Sequence, residues 1–361
     1  MLEGERMELI KILIRERKKA LLFAILLSVF CFILIPSINT SDKSLRELAE
    51  KQNMEIGTAV NTSAFLKDKQ YRDTLKKEFN VLTLENELKF ASVHPQIDRY
   101  DFTNSNRLID FAMENNQKVR GHTLVWYYDL PDWLTKSNFS RDQFIQILKN
   151  HIQTVVGQYR GKIYAWDVVN EAFNDDGTLR DNLWLRKIGP EYIELAFRWA
   201  HEADPNALLF YNDNRNEGLN AKSESIYRLF KEFKERGVPV NGIGFQMHNN
   251  INKPIRYEDV SKNIERLANI GLQVQITEMD VQIQGNEEAE TKKLKKQADM
   301  YKDSLNVCLS NKNCTGFVMW GFTDKFTWVR NSISKDEQPL IFDEIYKPKP
   351  AYKALQEVLY K

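Results

Sequence analysis

The chain has 361 residues, of which 42% are hydrophobic and 28% are charged, and its formal net charge is +1. These values exclude an intrinsically disordered chain and allow a large hydrophobic core. The nearly balanced charge, without a basic stripe, argues against a nucleic-acid partner. We also expect the protein to be a monomer.

The N-terminus has the features of an export signal. Residues 15–19 include four basic side chains, and residues 20–35 form an uncharged apolar run that ends before Pro36. This order is typical of a secretory signal peptide or an uncleaved signal anchor, and a buried helix is the alternative. The run is slightly shorter than the roughly 18 residues of a membrane-spanning helix, and no clear cleavage site follows it. A cleaved form and a single-pass anchored form both stay open. We expect residues 1–40 to be this segment with a short linker, and the remainder to be exported.

Eight short apolar runs, rich in β-branched residues, are predicted as strands. They are residues 56–60, 81–84, 119–125, 164–169, 208–211, 243–247, 274–277 and 316–320. Helical stretches separate them, which predicts the α/β class and a single (β/α)8 TIM barrel over residues 41–361. An open doubly wound sheet is the alternative. That fold would normally carry a glycine-rich phosphate loop after its first strand, and residues 61–64 (Asn-Thr-Ser-Ala) are not one.

Two of the helical stretches have clear ends. Residues 141–159 have apolar side chains at helical spacing, and Ser140 with Gln143 forms a candidate capping box before them. Residues 222–236 have the same periodicity and are followed by Gly237, a typical C-terminal signal. Both are predicted to be surface helices that cover the barrel.

Polar and aromatic residues gather at the predicted C-terminal ends of the strands. In a closed parallel barrel these ends all open onto one mouth. The residues are Glu85, Asn86, Lys89, His122, Trp126, Asn170, Glu171, Asn212, Asp213, Gln246, His248, Glu278, Asp280, Trp320, Asp324 and Trp328. So many polar groups cannot all be structural, because each buried polar group needs partners. Together they predict a polar cleft with aromatic platforms, which suits a sugar.

Two glutamates within this set suit the cleavage of a glycosidic bond. Glu171 and Glu278 each follow a buried strand. Glycosidic cleavage needs an acid for the leaving oxygen and a carboxylate on the opposite face of the sugar. His248 and Asp280 could hydrogen-bond to Glu278 and keep it ionised, whereas Glu171 would have to remain protonated.

The segments around these glutamates resemble a known family. Residues 166–172 (Trp-Asp-Val-Val-Asn-Glu-Ala) and 276–280 (Ile-Thr-Glu-Met-Asp) resemble the two catalytic signatures of glycoside hydrolase family 10, the retaining endo-β-1,4-xylanases. Five more segments match in the family's order: residues 83–90, 120–126, 211–213, 242–248 and 320–324. The resemblance spans roughly residues 45–360 and implies that residues 41–361 form the catalytic barrel.

The resemblance also implies roles for individual residues. It implies that Glu171 is the acid/base and Glu278 the nucleophile of a two-step, retaining hydrolysis of internal β-1,4 bonds in xylan or xylo-oligosaccharides. His248 and Asp280 would support the nucleophile. The implied substrate-binding residues are Glu85, Asn86, Lys89, His122, Trp126, Asn170, Gln246, His248, Trp320 and Trp328. We expect no cofactor and no metal.

This chain departs from the family's pattern at two places. After Trp126 the family usually continues His-Ser-Gln, and this chain has Tyr127, Tyr128 and Asp129. We hypothesise that Asp129 adds a negative charge near the scissile bond, which would help to keep Glu171 protonated or would alter specificity. The second departure follows Asp213, where the family often has Tyr-Asn and this chain has Asn214 and Arg215. Arg215 could meet an acidic xylan branch, and a solvated surface charge is the alternative.

Cys308 and Cys314 bracket a short polar loop. From the residues alone, a local disulfide in an exported protein and two free thiols are both open. Many members of the resembled family carry a disulfide at this place, and the resemblance therefore implies that the two cysteines are bonded.

Other functions compete with an endo-xylanase. An exo-acting or mixed-specificity β-glycosidase would use the same fold and glutamates. A non-catalytic surface carbohydrate-binding protein should have lost one glutamate, and this chain has both. A metal-dependent hydrolase would need three clustered ligands, for which His122, His248 and Asp280 are the candidates.

Overall fold

The structure, a computed structural model, describes residues 43–285 and 287–361. Within these residues eight parallel strands close a barrel: β1 (Glu55–Val60), β2 (Val81–Leu84), β3 (Lys118–Val125), β4 (Ala165–Asn170), β5 (Leu208–Asp213), β6 (Gly242–Phe245), β8 (Gln273–Gln282) and β9 (Cys314–Met319). Strand β1 pairs with both β2 and β9, and β6 pairs with β8, so the sheet has no open edge at these strands. The predicted TIM barrel is confirmed, and the open doubly wound sheet is wrong.

One short strand lies outside the barrel. Strand β7 (His248–Asn250) pairs in parallel with the second half of β8, with His248 opposite Asp280. The predicted strand at residues 243–247 ends earlier, at Phe245, and Met247 has a positive φ of 58° that breaks the strand. Strand β8 is longer than predicted because β7 extends its hydrogen bonding beyond the barrel. This extension brings His248 beside Asp280 at the mouth.

Helices and short helical turns connect the strands in the described part of the chain. They are α1 (Leu45–Lys51), α2 (Thr62–Lys67), α3 (Lys69–Glu78), α4 (Phe90–Val93), α5 (Thr103–Glu114), α6 (Asp132–Thr135), α7 (Arg141–Gln158), α8 (Leu183–Lys187), α9 (Tyr192–Ala203), α10 (Ala221–Glu235), α11 (Tyr257–Ala268), α12 (Glu290–Leu309), a 3-10 turn (Asp324–Phe326), α13 (Val329–Ser332) and α14 (Pro350–Tyr360). Ser140 and Gln143 form the predicted capping box of α7. Helix α10 ends just before Gly237, whose φ of 66° is of the left-handed kind that ends helices.

The interior of the barrel contains a buried ion pair as well as apolar side chains. Arg120 on β3 and Asp167 on β4 are both buried and form a salt bridge. The Arg120 guanidinium also donates to Gln275 and lies 4.6 Å from the centre of the Phe210 ring. Because a buried charge is costly without partners, these contacts hold Arg120 in one position. Asp167 in turn contacts His122 at the mouth, so the pair supports the site from below.

Two further predictions concern the cysteines and the N-terminal segment. Cys308 on α12 and Cys314 on β9 form a disulfide, as the family resemblance implied. None of the helices within residues 43–285 and 287–361 is long and apolar enough to span a membrane. The predicted signal peptide or anchor at residues 1–40 lies outside the described residues.

Candidate active site

The C-terminal ends of the strands surround an open cleft of about 1140 Å³. The side chains that line it include both glutamates, all ten predicted substrate-binding residues and Arg215. The predicted set is Glu85, Asn86, Lys89, His122, Trp126, Asn170, Glu171, Gln246, His248, Glu278, Trp320 and Trp328. The fold therefore brings together residues that lie far apart in the sequence, from Glu85 after β2 to Trp328 after β9.

Glu278 lies at the floor of the cleft and is held from several sides. Asn212 Nδ2 donates to its Oε1 at 2.6 Å, and His248 Nε2 lies 3.1 Å from its Oε2. His122 Nδ1 is 3.9 Å from Oε1. Burial by itself would raise the pKa of the Glu278 carboxyl, but the hydrogen bond from His248 and the charge of both histidines hold that pKa below its ordinary value. Glu278 is thus poised as a carboxylate, the form that a nucleophile requires.

His248 is fixed by a second carboxylate. Its Nδ1 lies 2.9 Å from Asp280 Oδ2, which also accepts a hydrogen bond from Trp328 Nε1 at 2.8 Å. Burial would lower the pKa of His248, but the charge of Asp280 and the bonds to Asp280 and Glu278 raise it well above its ordinary value. His248 therefore carries a positive charge between two carboxylates, in the place that the sequence predicted.

Glu171 has a different environment. It is half-buried, and its Oε1 accepts hydrogen bonds from Gln246 Nε2 at 3.0 Å and Asn170 Nδ2 at 3.3 Å. No described residue donates a hydrogen bond to its Oε2. That oxygen is left for a substrate oxygen or water. One glutamate is enclosed and paired with a cation, and the other is open to the cleft.

The main chain of Glu171 has a strained conformation, with φ of 59°. Neighbouring groups hold it there. Its N–H donates to the Asn212 carbonyl at 2.9 Å, and its carbonyl accepts from Arg180 Nε at 3.0 Å. The next N–H, that of Ala172, donates to the hydroxyl of Tyr211 at 2.9 Å. These bonds fix the direction in which the Glu171 side chain leaves the barrel.

A chain of amides connects the two glutamates. Asn212 Nδ2, besides contacting Glu278, lies 2.9 Å from Asn170 Oδ1. Asn170 Oδ1 also lies 3.3 Å from Gln246 Nε2, which contacts Glu171. The sequence places Asn212 at a strand end and predicts no individual role for it. Its position opposite Asn170 in the register of β4 and β5 explains the contact.

A buried ion pair lies behind this chain. Tyr211, which holds the Ala172 N–H, donates its own proton to Asp213, and Asp213 Oδ1 is 2.8 Å from Lys222 Nζ. Burial raises the pKa of Asp213 to about 6 against the lowering effect of Lys222. The sequence contains Lys222 as an ordinary helix residue, and only the fold reveals that it is buried.

His122 is oriented by the buried charges in the barrel. Its Nδ1 lies 3.0 Å from Asp167 Oδ2, and its ring meets Trp320 edge-on with 4.9 Å between centroids. Burial would raise the pKa of Asp167, but the charge of Arg120 and the bond to His122 hold it below the ordinary value. Arg120 and Asp167 stand within two neighbouring apolar strands in the sequence, and these two charges could have predicted a buried ion pair beneath His122.

The walls of the cleft combine polar and aromatic groups. Lys89 Nζ donates to Asn86 Oδ1 at 2.8 Å and lies 5.2 Å from the centre of the Trp126 ring. Glu85 accepts from Asn61 Nδ2 at 3.3 Å, and burial raises the pKa of Glu85. Such directional groups beside ring faces are suited to the hydroxyls and C–H faces of a sugar.

The two departures from the family pattern have different positions. Arg215 lines the cleft, but its guanidinium is paired with Asp175 at 2.6 Å. Asp129 is not among the residues that line the cleft, whereas Tyr127 is. Burial and the charge of Glu171 raise the pKa of Tyr127, which lines the same cleft as the candidate acid. The charge of Asp129 could therefore affect Glu171 only electrostatically, without direct contact in the cleft. This effect stays a prediction.

The residues proposed as metal ligands have other partners. In residues 43–285 and 287–361, no group of three or more His, Cys, Asp or Glu side chains is arranged to hold a metal ion. His122 contacts Asp167, and His248 bridges Glu278 and Asp280. The geometry instead provides an ionised carboxylate and a second, accessible carboxyl group in one cleft.

Comparison with known proteins agrees with this geometry. A model of glycosyl hydrolase family 10 matches residues 44–358. Endo-1,4-beta-xylanase B of Thermotoga neapolitana is 44% identical over 345 residues, covering 94% of this chain and 98% of that protein. Exoglucanase XynX of Acetivibrio thermocellus is 40% identical over 320 residues, covering 85% of this chain and 29% of that protein. The crystal structure of xylanase 10B from Thermotoga petrophila RKU-1 in complex with xylobiose is 47% identical, with a TM-score of 0.85, covering 88% of this chain and 98% of that one.

Proposed function

This chain belongs to glycosyl hydrolase family 10 and is a glycoside hydrolase, and we propose that it is an endo-1,4-β-xylanase that acts with retention of anomeric configuration. The observation that carries the proposal is the contrast between the two carboxyl groups of one cleft. Glu278 is buried and bonded to a cationic histidine, whereas Glu171 presents a free oxygen to the cleft. This difference matches the two roles that a retaining glycosidase needs.

In the first step Glu278 attacks the anomeric carbon of the sugar above it. A bond forms between a carboxylate oxygen and that carbon, and the bond to the glycosidic oxygen breaks. Glu171 gives its proton to the departing oxygen, which becomes the hydroxyl of the released chain. The low pKa of Glu278 supports its role as the nucleophile.

In the second step the roles of the carboxyl groups change. Glu171, now ionised, takes a proton from a water molecule, whose oxygen attacks the anomeric carbon. The bond to Glu278 breaks and the sugar is released with its original configuration. The amide chain through Asn170, Gln246 and Asn212 would keep the two side chains in fixed positions during both steps.

The shape of the cleft supports cleavage within a chain. Its lining extends from Glu85 and Asn86, after β2, to Arg256 and Asp259, at the start of α11. We infer that a cleft with so wide a lining holds sugars on both sides of the scissile bond. An endo-acting enzyme needs such a cleft.

The test is product analysis on xylan with the wild-type protein and with Glu278→Ala. We expect the wild type to release a range of xylo-oligosaccharides and the variant to be inactive, with an unchanged thermal unfolding midpoint as the folding control. Proton NMR of early products should show the β-anomer first. Early α-anomer would disprove retention, and full activity of Glu278→Ala would disprove the assignment of the nucleophile.

A second candidate is an exo-acting or mixed-specificity β-glycosidase. It is favoured by the 40% identity to a protein named exoglucanase, although this chain spans only 29% of that protein. The two modes differ in how fast the viscosity of xylan falls relative to the release of reducing ends. We expect a steep early fall in viscosity; a slow fall with one dominant short product would favour exo action.

We also propose that residues 1–40 direct export and that the catalytic domain begins near residue 41. The support is the order of basic and apolar residues at the N-terminus. Fractionation of cells that express the full chain should place the activity outside the cytoplasm. N-terminal sequencing of that fraction distinguishes a cleaved signal peptide from a retained anchor.

A further inference from the structure

Three consecutive aromatic residues follow strand β3 and line the cleft: Trp126, Tyr127 and Tyr128. The first two are half-buried, but 66% of the surface of Tyr128 is exposed. Among large hydrophobic side chains in the described part of the chain, only Ile345 is more exposed. Where the resembled family usually has a serine, this chain therefore places an uncovered aromatic ring in its binding cleft.

The two neighbouring residues, Trp126 and Tyr127, are held by contacts to the rest of the site. The guanidinium of Arg180 lies 4.5 Å from the centre of the Tyr127 ring, and Arg180 also donates to the Glu171 carbonyl. The carbonyl of Trp126 accepts from Trp184 Nε1 at 2.9 Å. These contacts give the segment a rigid base.

Tyr128 rests on this base without being covered by it. Its ring meets Trp126 at 5.4 Å and 63°, and Tyr127 at 6.4 Å and 65°, both edge-on arrangements. No described residue accepts a hydrogen bond from its hydroxyl. Edge-on contacts orient the ring and leave most of its surface to solvent, which is the arrangement of a platform rather than of a core residue.

We propose that Tyr128 stacks on a sugar ring of the xylan chain and so forms an additional binding position next to Trp126, away from the scissile bond. The proposal rests on the proposed function. The C–H face of a xylose unit would cover the exposed tyrosine ring, as a neutral pyranose can do without losing its hydroxyl hydrogen bonds to water. This position would lie beyond the two sugars that the scissile bond joins, and only longer chains would fill it.

The experiment compares Tyr128→Ala and Tyr128→Ser with Tyr128→Phe as the matched control, because phenylalanine keeps the ring. The kcat/KM of each variant is measured on xylo-oligosaccharides of increasing length, and cleavage positions are mapped with end-labelled substrates. For long oligosaccharides we expect Tyr128→Ala and Tyr128→Ser to lower kcat/KM about two- to tenfold, mainly through KM. The shortest cleaved substrate should be unaffected, and Tyr128→Phe should behave as the wild type.

Loss of the platform should also change where long substrates are cut. The proposal is overturned if Tyr128→Ala lowers kcat/KM equally for short and long substrates, if it changes neither KM nor the cleavage pattern, or if Tyr128→Phe fails as Tyr128→Ala does. Failure of the proposed function looks different, because the wild type itself would then not cleave the oligosaccharides.

Discussion

His248 Nε2 lies 3.1 Å from the carboxylate of Glu278, while its Nδ1 lies 2.9 Å from Asp280. One imidazolium thus bridges the candidate nucleophile and a buried carboxylate on the same strand, β8. The short strand β7 makes this possible by pairing His248 with Asp280. The contact couples the ionisation of Glu278 to the charge of His248. The coupling can be tested through the pH dependence of kcat/KM.

We predict that His248→Asn moves the acidic limb of the kcat/KM profile to higher pH. The pKa of Glu278 is held below its ordinary value partly by His248, and activity is lost as the pH falls through that pKa. Removing the cation raises the pKa of Glu278, by about one pH unit if one charge-assisted contact is lost. A lost substrate contact alone would raise KM without moving the limb. His201→Asn, on the exposed face of α9, is the control and should leave the profile unchanged. An unmoved acidic limb in His248→Asn would refute the coupling.

We predict that Tyr211→Phe lowers kcat more than it changes KM. The Tyr211 hydroxyl holds the Ala172 N–H next to Glu171 and donates to Asp213. Without it the strained main chain at Glu171 loses one restraint, and a small displacement of the acid should lower kcat by about tenfold or more. The free energy of unfolding should fall by about 1–3 kcal/mol, because a buried N–H and a buried carboxylate each lose a partner.

The control for Tyr211→Phe is Tyr159→Phe. The Tyr159 hydroxyl is also buried and bonds to Ser105 and Asn106, away from the cleft. This variant should lose comparable stability in urea unfolding while keeping its kcat. Equal losses of kcat in both variants would mean that Tyr211 acts only through stability.

The sequence predicted the barrel and the composition of the cleft because both depend on local signals. Apolar runs mark the strands, and polar residues directly after them must face the mouth. Glu171 and Glu278 could be paired on this basis alone. The length of β8 and the existence of β7 could not be predicted, because residues 248–250 (His-Asn-Asn) have no strand pattern and pair only through the fold.

Polar contacts between residues far apart in the sequence could not be predicted either. Lys222 has the spacing of a helix residue, and its burial against Asp213 depends on how α10 packs on the barrel. The place of Asp129 in a family motif predicted an effect on Glu171 or on specificity. The direction of its side chain, however, depends on the local main chain, which has a φ of 54° at Asp129. Sequence position gives the strand end at which a residue lies, and the turn geometry decides whether the residue faces the cleft.

The hypothesis for Asp129 predicts that Asp129→Gln moves the alkaline limb of the pH–rate profile to lower pH or alters substrate preference. A negative charge near Glu171 favours the protonated acid, so its removal should weaken that preference. Because Asp129 does not line the cleft, we expect the shift to be a fraction of a pH unit. Asp129→Glu keeps the charge and should keep the profile. The hypothesis is wrong if Asp129→Gln matches the wild type in both profile and preference.

Loss of the disulfide should lower stability without affecting catalysis. Cys308 and Cys314 are six positions apart and join α12 to β9, and neither residue lines the cleft. A loop this short restricts the unfolded chain only modestly, so the double variant Cys308→Ala/Cys314→Ala should lose about 2 kcal/mol or less. Urea unfolding with and without reductant measures this loss. Reductant should lower the unfolding midpoint of the wild type but not of the double variant, and a change of kcat in the double variant would contradict a purely structural role.

A buried histidine pair should make stability depend on pH. His94 and His151 are both buried, with 3.3 Å between their Nδ1 atoms, and His94 Nε2 donates to the Ile97 carbonyl at 3.1 Å. With His94 Nε2–H on this carbonyl, a neutral His94 accepts at Nδ1 a hydrogen bond from His151 Nδ1–H. Burial lowers the pKa of both histidines, and the charge of His94 lowers that of His151 further. The unfolded chain takes up protons below pH 6.5, the ordinary pKa, whereas the folded pair resists them. Stability from the pair is thus complete above pH 6.5 and is lost as the pH falls below it.

We predict that His151→Gln is less stable than the wild type at pH 7.5 by about 1–3 kcal/mol, because the hydrogen bond to His94 and the stacking on Phe90, at 3.7 Å, are disturbed. As the pH falls from 6.5 to 5, this difference should shrink by up to about 1.4 kcal/mol per pH unit, since the variant no longer has the histidine that resists protonation. Urea unfolding at several pH values measures it. His201→Gln, at an exposed histidine of α9, is the control variant, and we expect its stability to stay close to that of the wild type. A His151→Gln difference that stays constant or grows toward pH 5 would show that the pair is not neutral in the folded protein.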